Sequence, residues 1–295
     1  MEERLIISGN TKLIICSDSK RVIDTLDKVD YIRHIIPNLK IIHNFDINDK
    51  NLVRNHLLFG EPDYFLKDEE TYVISDYGLI NQGQICYLIY HLIQREFLKS
   101  GKFVLHGAAV KRDLESTILI APSKMGKTTF SLELVLNYGF KIYGDDSIKI
   151  VLEPELRILG GNTHLGLNLR HKNHKSIKRF YQDTIPEYID SEMLGIHTSE
   201  ESRLKQVIFL EPNIFNGSYK KDITSEEGRI KLYEELVKEM RASGYCLLQS
   251  NLSLPSLDNN IYSRDLIKEI NKSDIKIYIV SGSFQDVLNH LLEIL

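Results

Sequence analysis

The chain has 295 residues, 42 % of them hydrophobic and 26 % charged, with a formal net charge of −4. That composition excludes a disordered, collagen-like or fibrous repeat protein, and the near-balanced charge argues against nucleic acid or an anionic membrane as the main partner of the whole molecule. A chain of this length buries about three quarters of its unfolded surface, enough for a core without a disulfide or metal staple.

The first residues, Met1-Glu2-Glu3-Arg4, are acidic where a secretory signal is basic, and no apolar signal-type region follows them. Residues 12–16 and 39–45 are short apolar runs that predict strands, with a helix-like stretch over 18–36 between them. A strand is predicted over 71–75. Residues 84–98 carry Ile85, Leu88, Ile89, Leu92, Ile93 and Phe97 at helical spacing, closed by Ser100-Gly101, which reads as a core-packing amphipathic helix. The most membrane-like run, 85–90, is broken by His91, Gln94, Arg95 and Glu96, far short of the ~20 apolar residues of a spanning helix. Cys16, Cys86 and Cys246 are odd in number and far apart, as in a protein of a reducing, cytoplasmic compartment.

From residue 103 strands and helices alternate tightly. Strands are predicted over 103–105, 117–120, 141–143 and 148–152, with a helix over 127–138 that Gly139 stops. Further on come strands over 206–210, 245–248 and 275–280, a helix over 228–241, and a last helix opened by Ser283 with Asp286 in capping-box position. This alternation implies an α/β fold with helices packed on a sheet. We place a domain boundary near Gly101, giving an accessory α/β domain over 1–101 and a second domain over 102–295.

The segment Ile118-Leu119-Ile120-Ala121-Pro122-Ser123-Lys124-Met125-Gly126-Lys127-Thr128-Thr129 is a strand, a loop and a helix start, the context of a phosphate-binding P-loop. Gly126 lets backbone N–H groups approach phosphate oxygens, and the helix that follows points its positive end at them. In this pattern Ser123 to Thr129 cradle the nucleotide, Lys127 neutralises β/γ phosphates, and Thr128 ligates Mg²⁺. Where the usual pattern opens with Gly, this chain has Ala121. Downstream, Tyr143-Gly144-Asp145-Asp146-Ser147 puts two adjacent carboxylates at a strand's carboxyl end, where open α/β sheets place ligands. One carboxylate can hold Mg²⁺ while the other accepts a proton from a hydroxyl. Upstream stands Leu105-His106-Gly107-Ala108-Ala109-Val110; His106 lies 21 residues before Lys127, and Asp145 lies 18 after it.

In this order and near these spacings, the His-Gly strand end, the P-loop and the Asp-Asp turn resemble the catalytic domain of HPr kinase/phosphorylase and its diverged relatives. That family is similar in fold to phosphoenolpyruvate carboxykinase. The resemblance covers residues 103–152 and extends weakly through Val207-Ile208-Phe209-Leu210-Glu211-Pro212. It implies phosphorylation of a serine hydroxyl with ATP and Mg²⁺. Carried over, Lys127 and Thr128 hold phosphate and metal, His106 lies beside the transferred group, Asp145 is the base and Asp146 supports the metal. Family members carry a Glu just before a Leu-Gly strand; Gly160-Gly161-Asn162-Thr163-His164-Leu165-Gly166 has none, so the resemblance implies neither phosphorolysis nor HPr as acceptor. The first 100 residues fit better the HPr-kinase-like proteins of peptide modification, including kinases that phosphorylate a serine of a lasso-peptide precursor. The implied partners are a serine-containing peptide or small protein and, as in the family, further copies of the chain in a homo-oligomer.

Two other readings use the same residues: a kinase of a free hydroxyl such as serine or a nucleoside, and a nucleotide-binding regulator without phosphotransfer. Residues 170–179 hold five Lys/Arg and two His with no acid, which suits either a solvated segment or a basic loop over a triphosphate.

Overall fold

The computed structural model describes residues 1–28, 31–46, 52–152, 155–167, 175–180, 188–212, 217–241, 246–247 and 252–295. Two compact units form, one of Met1–Ser100 with Lys238–Asn259, the other of Gly101–Val237 with Asn260–Leu295. The second unit therefore does not run unbroken from residue 102 to the end as expected, because one stretch near its close belongs with the first.

In the first unit, β1 (Glu2–Ser8), β2 (Thr11–Ser17), β3 (Leu39–Ile42), β4 (Val53–Leu58), β5 (Asp63–Lys67) and β6 (Glu70–Ile74) form one sheet in the order β3-β1-β2-β4-β6-β5. Only the β2–β4 and β4–β6 pairs are parallel. The helix-like stretch over 18–36 is two helices, Lys20–Lys28 and Tyr31–Ile35, and the strand expected over 39–45 stops at Ile42. Helix Gln82–Lys99 is capped by Asn81, whose side chain accepts from the Gln84 N–H, and it buries Ile85, Leu88, Ile89, Leu92 and Ile93.

The second unit contains β7 (Lys102–Leu105), β8 (Ala108–Arg112), β9 (Glu115–Ile120), β10 (Lys141–Gly144), β11 (Ile148–Val151), β12 (Arg157–Gly161), β13 (His164–Gly166), β14 (Tyr188–Asp190), β15 (Ser202–Pro212) and β16 (Tyr219–Asp222). After β17 (Cys246–Leu247) and β18 (Leu252–Ser253), which pair with each other in the first unit, the chain returns to the second as β19 (Lys276–Gly282). The main sheet runs β10-β8-β9-β15-β12-β11-β7, with β19 added on β15 and β16 on β19. Its centre, β9-β15-β19, is parallel, and the remaining pairs of this sheet are antiparallel. The fold is thus mixed α/β, with a parallel core inside a largely antiparallel sheet.

Helices Lys127–Tyr138 and Phe284–Ile294 supply Phe130, Leu134, Val287 and Leu288 to a core shared with Leu119, Ile208 and Val280 of the parallel strands. Ser283 caps the last helix in the expected capping box with Asp286. Of the expected site residues, the loop before Lys127 follows the carboxyl end of the parallel strand β9, whereas Asp145-Asp146 follow β10 and His106 follows β7, both antiparallel to their neighbours. Among the described residues no helix is long and apolar enough to cross a membrane.

Candidate functional site

Strand β9 ends at Ile120, and helix Lys127–Tyr138 begins after a six-residue loop. The loop's left-handed positions are Lys124 (φ 64°) and Gly126 (φ 96°). Ala121 is not one of them, so a Cβ is tolerated there and the departure from the usual pattern needs no strain. Gly126 is the N-cap and offers no side-chain acceptor to the first amides of the helix. The Phe130 amide donates to the Gly126 carbonyl, fixing the first turn. Pro122, Ser123, Lys124 and Met125 form the exposed tip, with Thr128 and Thr129 half-buried behind it.

Lys127 is only 5 % exposed, and its ammonium donates to the Ala121 carbonyl at 3.0 Å. The cation is thus folded over the loop it closes. Beside it, the Thr128 hydroxyl donates to Asp145 Oδ2 at 2.5 Å. This bond joins the helix that follows β9 to the turn that follows β10, two motifs 17 residues apart in the chain.

The two carboxylates have opposite environments. Asp145 is 2 % exposed, and its Oδ1 is buried without a hydrogen-bond partner. Burial, reinforced by the charge of Asp146, pushes its pKa up to about 7, against the opposing pull of the Thr128 hydroxyl and the Lys127 cation. Asp146 takes the left-handed conformation (φ 62°), which turns its side chain outward, 53 % exposed. His106, directly after β7, brings Nε2 to 3.9 Å from Asp146 Oδ1. The carboxylate beside Thr128 is therefore the first of the pair, while Asp146, expected beside the metal, stands next to His106.

A buried carboxylate with a free oxygen next to a threonine hydroxyl is a hard-oxygen donor set, which fits Mg²⁺. Among the described residues no cluster of three or more His, Cys, Asp or Glu could hold a metal on protein ligands alone. Mg²⁺ ordinarily completes its shell with water and phosphate oxygens, so two protein donors suffice.

The sequence reading missed what lies behind the turn. Asn162, 2 % exposed, accepts from the Asp145 amide through its backbone carbonyl and donates its own amide to the Ser147 carbonyl, each at 3.0 Å. The only signal was the pair Gly160-Gly161 before it. Of the basic segment, residues 170–174 lie outside the described residues, and Lys175–Phe180 is a short helix.

No family model matches the chain, and no curated protein matches it. Solved structures do, among them the Hpr(Ser) kinase/phosphatase from Coxiella burnetii, at 11 % sequence identity over 65 % of this chain and 97 % of that one, with a TM-score of 0.33. A likeness that slight defines neither fold nor activity.

Proposed function

We propose that the protein transfers the γ-phosphoryl group of ATP, with Mg²⁺, to a serine hydroxyl on a peptide or small protein. The observation that carries this reading is the Thr128–Asp145 hydrogen bond, which joins the P-loop helix to the carboxylate turn at one sheet end. Lys127 exchanges the Ala121 carbonyl for a phosphate oxygen, a charge-assisted bond of greater strength. Thr128 and Asp145 hold the Mg²⁺, which when bound neutralises charge developing on the phosphates. Asp146, exposed and beside His106, accepts the proton of the incoming serine hydroxyl, because it is the carboxylate an outside acceptor can reach. The roles of the two aspartates are therefore exchanged relative to those the family resemblance implies.

The test is incubation with γ-labelled ATP, Mg²⁺ and a panel of serine-containing peptides. The wild type should label serine, and Asp146→Asn should label it at least about 100-fold less while still binding nucleotide. Label that appears only as free phosphate across the panel would contradict the proposal.

A further inference from the structure

The Asp145-Asp146 turn does not close a simple hairpin. It carries the chain from β10, at one end of the strand order, to β11, next to last at the other. Strands β10 and β12 are not neighbours in that order, yet their ends meet beneath the turn. The Asp145 amide donates to the Asn162 carbonyl and the Asn162 amide to the Ser147 carbonyl, each at 3.0 Å, and the Ser147 amide closes on the Asp145 carbonyl at 2.8 Å.

This meeting requires two glycines face to face. A Cβ on Gly144 would strike the Asn162 nitrogen and stand 2.6 Å from the Gly161 carbonyl carbon. A Cβ on Gly161 would stand 2.9 Å from the Ser147 carbonyl oxygen, 3.0 Å from the Gly144 Cα and 2.8 Å from Ile148 Cδ1. Real Cβ atoms essentially never come within 3.0 Å of such neighbours, and backbone, unlike a side-chain end, cannot swing aside.

We infer that the Gly144–Gly161 backbone contact sets the position of the two carboxylates, and that Gly161 is a positioning residue for the reaction. The inference rests on the phosphoryl-transfer reading of the site. A methyl group at 161 lifts the turn away from Asn162, which lengthens the Thr128–Asp145 bond and moves Asp146 from the point where a hydroxyl must meet it. Reacting groups misplaced by about 1 Å lose on the order of 100-fold in rate. The P-loop, built on β9 and its own helix, is not touched by Gly161.

The experiment compares wild type, Lys127→Ala, Gly161→Ala and the double variant Gly161→Ala/Ile148→Val. The double variant removes the Ile148 Cδ1 collision and leaves only the backbone ones, so it remains informative if the single variant folds poorly. Three quantities are read: ATP affinity by calorimetry, turnover of ATP with water as acceptor, and backbone amide exchange. With Gly161→Ala we expect ATP affinity within about threefold of wild type, turnover lower by about 100-fold, and faster exchange at Asp145, Ser147 and Asn162 with β8, β9 and β15 unchanged. Unchanged turnover and exchange would overturn the inference, as would a fall in ATP affinity equal to the fall in turnover. If wild type and Lys127→Ala alike fail to bind ATP, the phosphoryl-transfer reading fails. The amide exchange then still decides whether Gly161 holds the turn.

Discussion

Two buried polar clusters, the Arg95 network of the first unit and the Asp145 turn of the second, are completed differently. In the first, Asn55 and Thr71 are fully buried, and Arg95 reaches both of them, with its guanidinium 3.2 Å from Asn55 Oδ1 and 3.4 Å from the Tyr64 hydroxyl. The charge is balanced by Glu96 at 2.9 Å, which also accepts from Lys99. Within this cluster donors meet acceptors, and the network ties β4, β5 and β6 to helix Gln82–Lys99. In the second unit the Asp145 Oδ1 is buried with no partner, and the Lys127 ammonium rests on a backbone carbonyl. Burying a charged group without a full set of partners costs free energy, and such a cost is ordinarily kept only where a ligand repays it. The Arg95 network closes on itself, whereas Asp145 keeps one buried oxygen without a partner, the position the proposed Mg²⁺ would fill.

The sharpest break of this comparison is at the carboxylates. Asp146→Asn should lower phosphoryl transfer by about 100-fold or more with nucleotide affinity within a few-fold, because only proton acceptance is removed. Asp145→Asn should instead raise the Mg²⁺ concentration needed for half-maximal activity by about tenfold or more. It should also stabilise the free protein by about 1 to 2 kcal/mol in urea unfolding, because an amide replaces a carboxylate that burial disfavours. A free protein destabilised by Asp145→Asn would mean that this carboxylate is structural.

In the first unit, Arg95→Met should destabilise by about 2 kcal/mol, leaving Asn55, Thr71 and Glu96 short of partners, and should leave nucleotide affinity alone. The unit's buried polar atoms outside that network are less well served: Glu3 Oε2, Ser75 Oγ and Gln84 Oε1 lack partners, and so do both ring nitrogens of His91, which is 1 % exposed. Burial, aided by the Arg95 charge, lowers its pKa to about 4. The folded state then binds fewer protons than the unfolded between about pH 6.5 and 4, so stability is full above this window and falls as the pH drops through it. The smallest expected effect is that of His91→Leu at pH 7, within about 1 kcal/mol of wild type. At pH 4.5 the same variant should be the more stable of the two, and equal acid sensitivity in both proteins would place the titration elsewhere.

Much of the second unit was legible because local signals agree with tertiary ones. The helix over 127–138 carries its own stop at Gly139, and the last helix carries its own cap at Ser283. Strands that depend on their neighbours were missed. Strand β1 opens on Glu2, Glu3 and Arg4, and β4 reads Val-Arg-Asn-His-Leu-Leu, yet pairing on both sides makes each a strand. Strand β5 is an edge with no buried residue, so its sequence carries no alternation to detect. In β12 two glycines mask β propensity, and their purpose, the contact with Gly144, exists only once two distant strands meet. That Thr128 would meet an aspartate, and His106 the other, was legible from motif order and spacing alone. Which aspartate is buried was not, since two identical neighbours differ only in the turn conformation that points one inward and the other out.

The most direct test of the central claim is a thermal-stability titration of wild type and Lys127→Ala with ATP and Mg²⁺. The account predicts a concentration-dependent rise in the wild-type midpoint that Lys127→Ala lacks. No rise in either protein up to millimolar ATP would contradict it, because the loop between β9 and helix Lys127–Tyr138 would then not be a nucleotide site.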